Sequence, residues 1–350
     1  MHDYEKLMKK CIKLGEKGRG KVSPNPLVGC IVLDSRGEII AKGYHHKYGE
    51  AHAERNALLK LKNGEEKNGV LIVNLEPCSH HGKTPPCADL IIERGIKKVV
   101  IGCTDSNPKV NGNGIKKLKN SGINVISGIL EKECRELNEI FFCDNEEKRI
   151  FVALKTATTI DGKIASHTGD SKWITSDKAR EKAHKLRGYY DAILTSSSTI
   201  LADNPNMEHK TKIILDKDFK TDFDFNIYKQ GKVILVTRKR PDKYPDNVVI
   251  IEPKITNGKI DLNNLLKKLY ANGIKSIFVE AGGNLSGSFI RENLVDKIYH
   301  FIAPKILNDN RGLSCFNGDK IDFIKDSKGF KVKNIEKFGD DIMITYKKEK

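Results

Sequence analysis

The feature that most restricts the fold of this chain is a histidine and two cysteines, far apart in sequence, that together suit one metal ion. His52 is followed two positions later by Glu54, and Cys78 and Cys87 come well beyond them. Imidazole and thiolate groups are the ligands that Zn²⁺ prefers when its fourth position is left to water. A nearby carboxylate can then move protons, so the set outlines a hydrolytic site with Glu54 as its acid and base.

The local sequence indicates where these ligands lie. An apolar periodicity that begins at Ala53 predicts a helix, with His52 and Glu54 at its start. Cys78 follows a strand-like run from 70 to 75, and Pro86 sets Cys87 at the beginning of a second helix. The positive end of that helix favours a thiolate over a thiol.

Each ligand taken alone is more commonly structural, because a lone histidine is usually solvated or in the core and a free cysteine is usually a small buried hydrophobe. Together, H-x-E followed by P-C and a second cysteine matches the zinc deaminase signature. The gap differs, since eight residues separate the cysteines here instead of two. A nucleic-acid deaminase stays open as an alternative, and so does a non-catalytic binding protein with a closed site, for which His80 or His81 would be the fourth ligand.

Length and composition narrow the class of protein. A chain of 350 residues is long enough for two domains. The net charge of +16 raises nucleic acid as a partner, but the lysines are spread along the chain without interleaved aromatic residues, which favours a solvated surface and no nucleic-acid partner. The absence of a long apolar run and the scattered eight cysteines predict a cytoplasmic protein without a membrane partner.

Alternating helical and strand-like segments predict an α/β fold in both halves. The charged segment 144–149 precedes a new apolar strand, which predicts a deaminase-type domain at 1–146 and a second domain at 147–350. Predicted strands are 28–33, 39–44, 70–75, 98–102, 124–127, 150–154, 192–195, 212–215, 232–237, 248–251, 276–280 and 297–302; predicted helices are 3–18, 53–61, 88–94, 114–119, 131–142, 176–187, 262–271 and 285–292.

Two stretches of the second half indicate a phosphate-bearing ligand. Residues 280–288 place glycines between a strand and a helix, where backbone amides and the helix dipole can hold a phosphate. Residues 195–205 read as a polar loop after a strand. A glycine pair after a strand is more often only a turn, and this is not the G-x-G-x-x-G dinucleotide fingerprint, so the residues alone predict only a possible phosphate site.

Longer motifs resemble one known family over nearly the whole chain. The string from Glu76 to His80, with Gly82 and residues 84–87, is similar to the deaminase half of the bifunctional pyrimidine deaminase/reductase family of riboflavin biosynthesis. Further similar stretches are 24–29, 43–45 and 104–110 with Gly112 and Gly114 in the first half, and 155–157, 161–163, 171–176, 199–205 and 279–287 in the second.

This resemblance implies an N-terminal cytidine-deaminase-like α/β/α sandwich, a C-terminal dihydrofolate-reductase-like α/β domain, Zn²⁺ and NADPH as cofactors, and a homo-oligomer, dimer or tetramer. It implies deamination of 2,5-diamino-6-ribosylamino-4(3H)-pyrimidinone 5′-phosphate, then reduction to 5-amino-6-(5-phosphoribitylamino)uracil. The implied roles are catalysis by Glu54; zinc binding by His52, Cys78 and Cys87; NADPH binding by Ala157, Trp173, Thr199, Asp203, Gly282, Gly283, Asn284, Leu285, Ser286, Gly287 and Ser288; and substrate binding by Asn25, His45, Lys155, Ser171, Arg187, Met207, Lys210 and Glu280.

The chain departs from the family pattern after the 199–205 stretch. The family commonly has an arginine there, whereas the segment from Met207 offers only Lys210, a point charge instead of a guanidinium fork. Residues 238–240, Arg-Lys-Arg, follow a predicted strand and could meet the 2′-phosphate of NADPH. A solvated charge run is the preferred interpretation of those three residues.

Overall fold

The computed structural model describes residues 3–81, 85–107 and 110–349. Gly82 and Thr84 of the cysteine motif, and Pro108 and Lys109 of the 104–110 motif, lie outside the described residues. The chain forms two compact units, Met1–Lys148 and Arg149–Lys350, which divide two residues after the predicted boundary. No helix in the described part of the chain is long and apolar enough to span a bilayer.

The first unit alternates helices with strands. Its elements are α1 (Tyr4–Gly15), β1 (Gly29–Leu33), β2 (Ile39–Tyr44), α2 (Ala53–Leu58), β3 (Val70–Leu75), α3 (Cys87–Glu93), β4 (Lys98–Cys103), α4 (Asn113–Asn120), β5 (Asn124–Ser127), α5 (Glu131–Leu137) and α6 (Glu139–Phe142).

These strands form one five-stranded sheet in the order β2-β1-β3-β4-β5. β3, β4 and β5 are parallel, whereas β1 is antiparallel to both of its neighbours. β1, β3 and β4 are apolar almost throughout because helices cover both faces of the sheet. Helix α1 lies directly on β1, where a Cβ on Gly29 would come within 2.1 Å of the Cys11 carbonyl oxygen.

The second unit is also α/β and ends in a hairpin. Its elements are β6 (Phe151–Thr158), β7 (Lys163–Ala165), α7 (Asp177–Arg187), β8 (Ala192–Ser196), α8 (Ser197–Asp203), β9 (Thr211–Leu215), β10 (Lys232–Val236), β11 (Val248–Ile251), β12 (Ile255–Thr256), β13 (Lys259–Ile260), α9 (Leu262–Ala271), β14 (Ser276–Glu280), α10 (Gly283–Arg291), β15 (Lys297–Ile302), β16 (Leu313–Ser314), β17 (Phe330–Phe338) and β18 (Asp341–Lys348).

Nine of these strands form one sheet in the order β11-β10-β9-β8-β14-β6-β15-β18-β17. The strands from β11 to β15 are parallel, and β18 and β17 are added antiparallel at one edge. Successive residues of one strand pack into two different apolar clusters: Ile213 of β9 belongs to one and Ile214 to the other. This alternation is what a sheet buried on both faces requires.

The predicted α/β fold is confirmed for both units. The interpretation of residues 195–205 as a loop is wrong, because α8 occupies most of that stretch and begins directly after β8. The helix predicted over 131–142 is interrupted at Asn138, whose side chain bonds both the N–H and the carbonyl of Leu27. The hairpin of β17 and β18 went unpredicted, since β17 is exposed and lysine-rich and lacks a clean apolar alternation.

Candidate active sites

In the first unit, strand direction brings four separate loops to one edge of the sheet. Cys78 follows β3 and Asp105 follows β4, so both lie beyond the carboxyl ends of parallel strands. Because β1 runs antiparallel to β3, its amino end lies at the same edge, and Asn25 precedes it. β2 reverses direction again and delivers His45 there. Open α/β sheets bind ligands at such an edge.

The three predicted metal ligands meet at this edge. The Nδ1 atom of His52 lies 3.5 Å from the Sγ atoms of both Cys78 and Cys87. All three atoms fall within 4.8 Å of one another, and they are the group of possible metal ligands found among the described residues. Neither His80 nor His81 joins that group, which leaves three protein ligands in the arrangement of a catalytic site.

The spacing of these atoms fits a tetrahedral zinc ion. Zinc lies about 2.05 Å from an imidazole nitrogen and about 2.3 Å from a thiolate, so tetrahedral angles separate nitrogen and sulfur by about 3.6 Å. The observed separations of 3.5 Å match this geometry. The donor set of one imidazole and two thiols is also the one that zinc prefers.

The electrostatics of the two thiols favour a bound cation. Hydrogen bonds from Cys87 and from His52 together lower the pKa of Cys78 to about 4 despite burial. The neighbouring Cys78 thiolate and burial together raise the pKa of Cys87 well above its usual value. A divalent cation relieves this repulsion and permits both sulfurs to be thiolates.

Glu54 lies beside the ligands on the first turn of α2 and is only 3% exposed. Burial raises its pKa to about 7, which His52 partly opposes. A carboxyl group that titrates near neutral pH can both take and return a proton. The residue therefore has the position and the proton affinity of a general acid and base.

A cavity of about 240 Å³ opens onto this centre. Asn25 and His45 line it, and their side chains are in contact, with Asn25 Nδ2 3.2 Å from His45 Nε2. Burial lowers the pKa of His45. The remaining lining residues are Pro26, Val28, Tyr48, Gly49, Glu50, His52, Glu54, Leu75, Glu76, Cys78, His80, Asp105, Asn107, Val110 and Phe141.

Sequence reasoning missed two acidic residues of this cavity. Glu76 is buried, and its carboxylate accepts hydrogen bonds from the backbone N–H groups of Asp105, Gly112 and Ile115. Asp105 is buried too, and burial raises its pKa to about 6. Both belong to motifs that were noted in the sequence, and the signal available was their position after buried strands, Glu76 one residue after β3 and Asp105 two residues after β4.

In the second unit, a cleft of about 620 Å³ lies at the carboxyl ends of the parallel strands. It gathers the predicted residues Lys155, Ala157, Ser171, Trp173, Arg187, Thr199, Asp203, Met207, Glu280, Gly282, Gly283, Asn284 and Leu285. Lys210, Ser286, Gly287 and Ser288 do not line this cleft. Lys210 is an exposed residue directly before β9, and the Ser286 hydroxyl donates to the Ala281 carbonyl.

Three charged side chains form the floor of the cleft. Lys155 of β6 and Glu280 of β14 are paired neighbours in adjacent parallel strands. Arg187 donates from Nε and Nη2 to the two Glu280 oxygens at 2.7 and 2.8 Å. Burial would raise the pKa of Glu280, but Arg187 outweighs it and holds that pKa below its usual value, while burial lowers the pKa of Lys155.

The glycines of 282–287 have two different functions. Gly282 precedes α10, and a Cβ there would meet nothing within 4 Å, so its surface faces open space in the cleft. Gly283 and Gly287 instead face backbone, since added Cβ atoms would come within 2.1 Å of the Ser314 oxygen and 1.7 Å of the Asn317 oxygen. The open helix start at Gly282 fits a phosphate-bearing cofactor.

A second cavity, of about 660 Å³, adjoins the cleft and shares Ser198, Asn284, Leu285 and Asn317 with it. Its wall carries four basic side chains, Lys217, Lys220, Lys259 and Arg291, and four acidic ones, Asp216, Asp218, Glu292 and Asp319. Lys217 is paired with Asp218, and Arg291 with Asp319. None of residues 238–240 lines either cavity, and Arg238 is instead paired with Asp218.

Helix α7 contributes two cleft residues that sequence reasoning missed. Arg180 and His184 line the cleft beside Arg187, and the Arg180 guanidinium lies 4.2 Å from the centre of the Trp173 ring. The three residues recur at steps of four and three positions, which places them on one face of a helix. That spacing was visible in the sequence.

Comparisons with known proteins identify the family of each unit. A family model for the cytidine and deoxycytidylate deaminase zinc-binding region matches residues 1–103, and one for the RibD C-terminal domain matches residues 150–344. The riboflavin biosynthesis protein RibD of Actinobacillus pleuropneumoniae is 40% identical over 97% of this chain and 94% of its own length. RibD of Escherichia coli is 35% identical over 97% and 98%.

A solved structure from Thermotoga maritima is similar over its whole length. It is a diaminohydroxyphosphoribosylaminopyrimidine deaminase/5-amino-6-(5-phosphoribosylamino)uracil reductase, 40% identical, with a TM-score of 0.86 over 99% of this chain and 98% of that one. The zinc-binding deaminase region and the RibD reductase domain imply Zn²⁺ and NADPH as cofactors, as the family resemblance of the sequence implied. The chain belongs to the RibD family and is a bifunctional deaminase and reductase of riboflavin biosynthesis.

Proposed function

We propose that the first unit deaminates 2,5-diamino-6-ribosylamino-4(3H)-pyrimidinone 5′-phosphate and that the second reduces the ribosyl group of the product to give 5-amino-6-(5-phosphoribitylamino)uracil. The observation that carries the proposal is the set of His52, Cys78 and Cys87 at zinc-binding distances beside buried Glu54. The activity of the Thermotoga maritima relative supports the choice of substrates.

In the first reaction, His52, Cys78 and Cys87 would hold the zinc. When bound, zinc supplies a Lewis acid that lowers the pKa of a bound water to ~7. Glu54 takes the proton of the attacking water and returns it to the leaving amine, so that a carbonyl group and ammonia are the products. Its pKa of about 7 suits both transfers. Asn25, which also lines the cavity, contacts the substrate.

In the second reaction, the residues of the cleft bind and align two ligands. NADPH, when bound, supplies the hydride. Ala157, Trp173, Thr199, Asp203 and the start of α10 from Gly282 would hold it. Ser171, Met207 and the floor formed by Lys155, Arg187 and Glu280 would hold the ribose phosphate end of the substrate, with Arg180 as a further cation.

We infer that the adjoining cavity takes the 2′-phosphate end of NADPH, because it adjoins the cleft and its basic residues include Lys220 and Arg291. Asp319, the partner of Arg291, would give way to the phosphate. Replacing Lys220 and Arg291 together by alanine should raise the KM for NADPH by about 10- to 100-fold and leave the KM for NADH unchanged. Lys239→Ala is the matched control, since Lys239 lines neither cavity. If Lys239→Ala reduces the preference for NADPH instead, residues 238–240 read the phosphate.

A paired assay tests the two reactions and their order. Zinc-replete protein is given the diaminopyrimidinone ribotide with and without NADPH, and both ammonia release and NADPH oxidation are followed. We expect ammonia without NADPH, and oxidation only after deamination. Glu54→Gln should abolish ammonia release while oxidation continues on the deaminated intermediate. Ammonia without NADPH consumption would exclude the reductase assignment of the second unit, and the absence of both would exclude the substrate.

We also propose a cytoplasmic homo-oligomer. All eight cysteines are free, which is typical of a reducing compartment. The segment before β17 and the strand itself expose apolar side chains at Phe323, Ile324, Val332 and Ile335, which favours an interface with a second copy. Light scattering on purified protein should give at least twice the 39.3 kDa chain mass, and Ile335→Lys should lower it. A monomer at micromolar concentration would contradict the proposal.

A further inference from the structure

His45 was expected to contact substrate, but both of its ring nitrogens have protein partners. Nδ1 lies 3.0 Å from the carbonyl oxygen of Ala51, and Nε2 lies 3.2 Å from the side-chain amide nitrogen of Asn25. The residue is only 2% exposed. No ring nitrogen is therefore left for a ligand, although the residue lines the deaminase cavity.

The first of these contacts determines the protonation of the ring. A carbonyl oxygen can only accept, so His45 Nδ1 must carry the hydrogen. The same Ala51 oxygen also accepts from the Asn56 amide, which in turn bonds the Tyr44 carbonyl, so its position is fixed. The group that faces Nε2 is the side-chain nitrogen of Asn25, which can only donate, so Nε2 must be the acceptor. In a neutral imidazole with its hydrogen on Nδ1, Nε2 is an acceptor.

The second contact then orients the amide of Asn25. Because Nε2 accepts, the Asn25 amide places its Nδ2 atom there, at 3.2 Å, and not its oxygen. The backbone on either side of this residue is held as well, by a hydrogen bond from Asn25 N to the Val22 carbonyl and by the paired bonds between Leu27 and Asn138. The group that Asn25 keeps for the cavity is its carbonyl oxygen.

We propose that His45 is a positioning residue that fixes Asn25 with its side-chain oxygen towards the substrate, so that the deaminase cavity accepts a hydrogen-bond donor at this point. The proposal rests on the proposed deamination. The substrate group it selects is an N–H or O–H of the aminopyrimidine ribotide, such as an exocyclic amine, a ring N–H or a sugar hydroxyl. A ligand that presents only an acceptor there would meet the lone pairs of the oxygen and be rejected.

Two substitutions separate this role from a purely structural one. An asparagine places its amide near the former Nδ1 atom, so His45→Asn keeps the Ala51 bond and loses the bond to Asn25. A glutamine reaches the former Nε2 position, so His45→Gln keeps an acceptor for Asn25 and loses the Ala51 bond. We expect His45→Asn to lower kcat/KM for ammonia release by about 10- to 100-fold and His45→Gln to lower it less. A residue that merely supports the loop at Ala51 would give the opposite order.

A double-mutant cycle tests whether His45 acts through Asn25. In the Asn25→Ala background, His45→Asn should cause no further loss of kcat/KM, since there is no amide left to orient. An equal loss in both backgrounds would overturn the proposal, as would better retention by His45→Asn than by His45→Gln. Zinc content and the rate of NADPH oxidation on the deaminated intermediate serve as controls for folding in each preparation.

A measurement on the resting protein is independent of turnover. Imidazole ¹⁵N NMR of the zinc-loaded wild type should show His45 protonated at Nδ1 and unprotonated at Nε2. Protonation at Nε2 would overturn the proposal even in an active enzyme. If the Nδ1 tautomer is present but the wild type releases no ammonia from the ribotide, the proposed substrate is wrong. The donor group that Asn25 was proposed to select on that substrate is then wrong as well.

Discussion

Glu76 anchors one wall of the deaminase cavity, and its replacement gives a sharp test of how that wall is held. The carboxylate is 3% exposed. Its Oε2 accepts from Asp105 N at 3.2 Å and from Gly112 N at 3.0 Å, and its Oε1 accepts from Ile115 N at 3.1 Å. One side chain thus fixes both the start of the loop after β4 and the first turn of α4.

The geometry sets the size of the effect. Glu76→Gln can keep the two bonds at one oxygen, but its new NH₂ group faces the Ile115 N–H, so one buried donor loses its partner. We expect a loss of about 2 kcal/mol, since a buried unpaired donor costs about 1–3 kcal/mol. Glu76→Ala leaves all three donors without the carboxylate and should cost about 4 kcal/mol or more. A displaced wall should lower kcat/KM for ammonia release by about 100-fold.

The single tryptophan makes the assay specific to one unit. Trp173 lies in the second unit, so its emission reports on that unit alone, whereas circular dichroism reports on both. Both Glu76 variants should show an earlier dichroism transition in urea and an unchanged fluorescence transition. Glu93→Gln removes the same charge from an exposed position of the first unit and is the control. The anchoring role would be refuted if Glu76→Ala released ammonia at the wild-type rate and kept the wild-type urea midpoint.

Three further predictions concern the second unit. Gly287→Ala should destabilise it by more than about 2 kcal/mol, because the new Cβ would lie 1.7 Å from the Asn317 oxygen, while Gly282→Ala, with open space, should keep its fluorescence midpoint. Glu280→Gln leaves Arg187 and Lys155 without a counter-charge, so it should lower the rate of NADPH oxidation by about 100-fold and leave ammonia release unchanged. An unchanged rate of NADPH oxidation would contradict this. The Asp161 carboxylate accepts hydrogen bonds from the N–H groups of Leu307 and Asn308, and a hydrogen bond from Thr159 is the largest cause that lowers its pKa to about 2. The stabilisation that Asp161 provides is therefore complete above about pH 4 and is lost as the pH falls through about 2. Asp161→Asn should flatten the dependence of Trp173 emission on pH in that range.

Most of the fold could be predicted from sequence because its strands are short apolar runs buried on both faces. β3 and β14, for example, lie at the predicted 70–75 and 276–280. The metal ligands could be found because only a few residue types bind zinc and their spacing is unusual. Their convergence at 3.5 Å adds what a pattern cannot supply, namely that three separate segments meet with tetrahedral spacing.

The parts that sequence did not predict depend on partners that are distant in the chain. Residues 195–205 looked like a polar loop, yet α8 forms there because Ile200 packs into an apolar cluster. The glycines at 283 and 287 suggested a phosphate site, but tight contact with residues 314–317 is what requires them. Arg187 suggested a phosphate ligand, but its two hydrogen bonds to Glu280 could not be foreseen, because Glu280 lies 93 positions further along the chain.

Both sites follow from the direction of the strands, although their chemistry differs. Cys78 comes after the end of β3 and Ser196 ends β8, so these side chains can be exchanged without opening the apolar centre of either sheet. Lys155 and Glu280, the last residue of β14, are different because their buried charges lie side by side. A change at Cys78 or Ser196 should therefore alter activity at little cost in stability, whereas a change at Lys155 or Glu280 should affect both, since each buried charge depends on its neighbours for compensation.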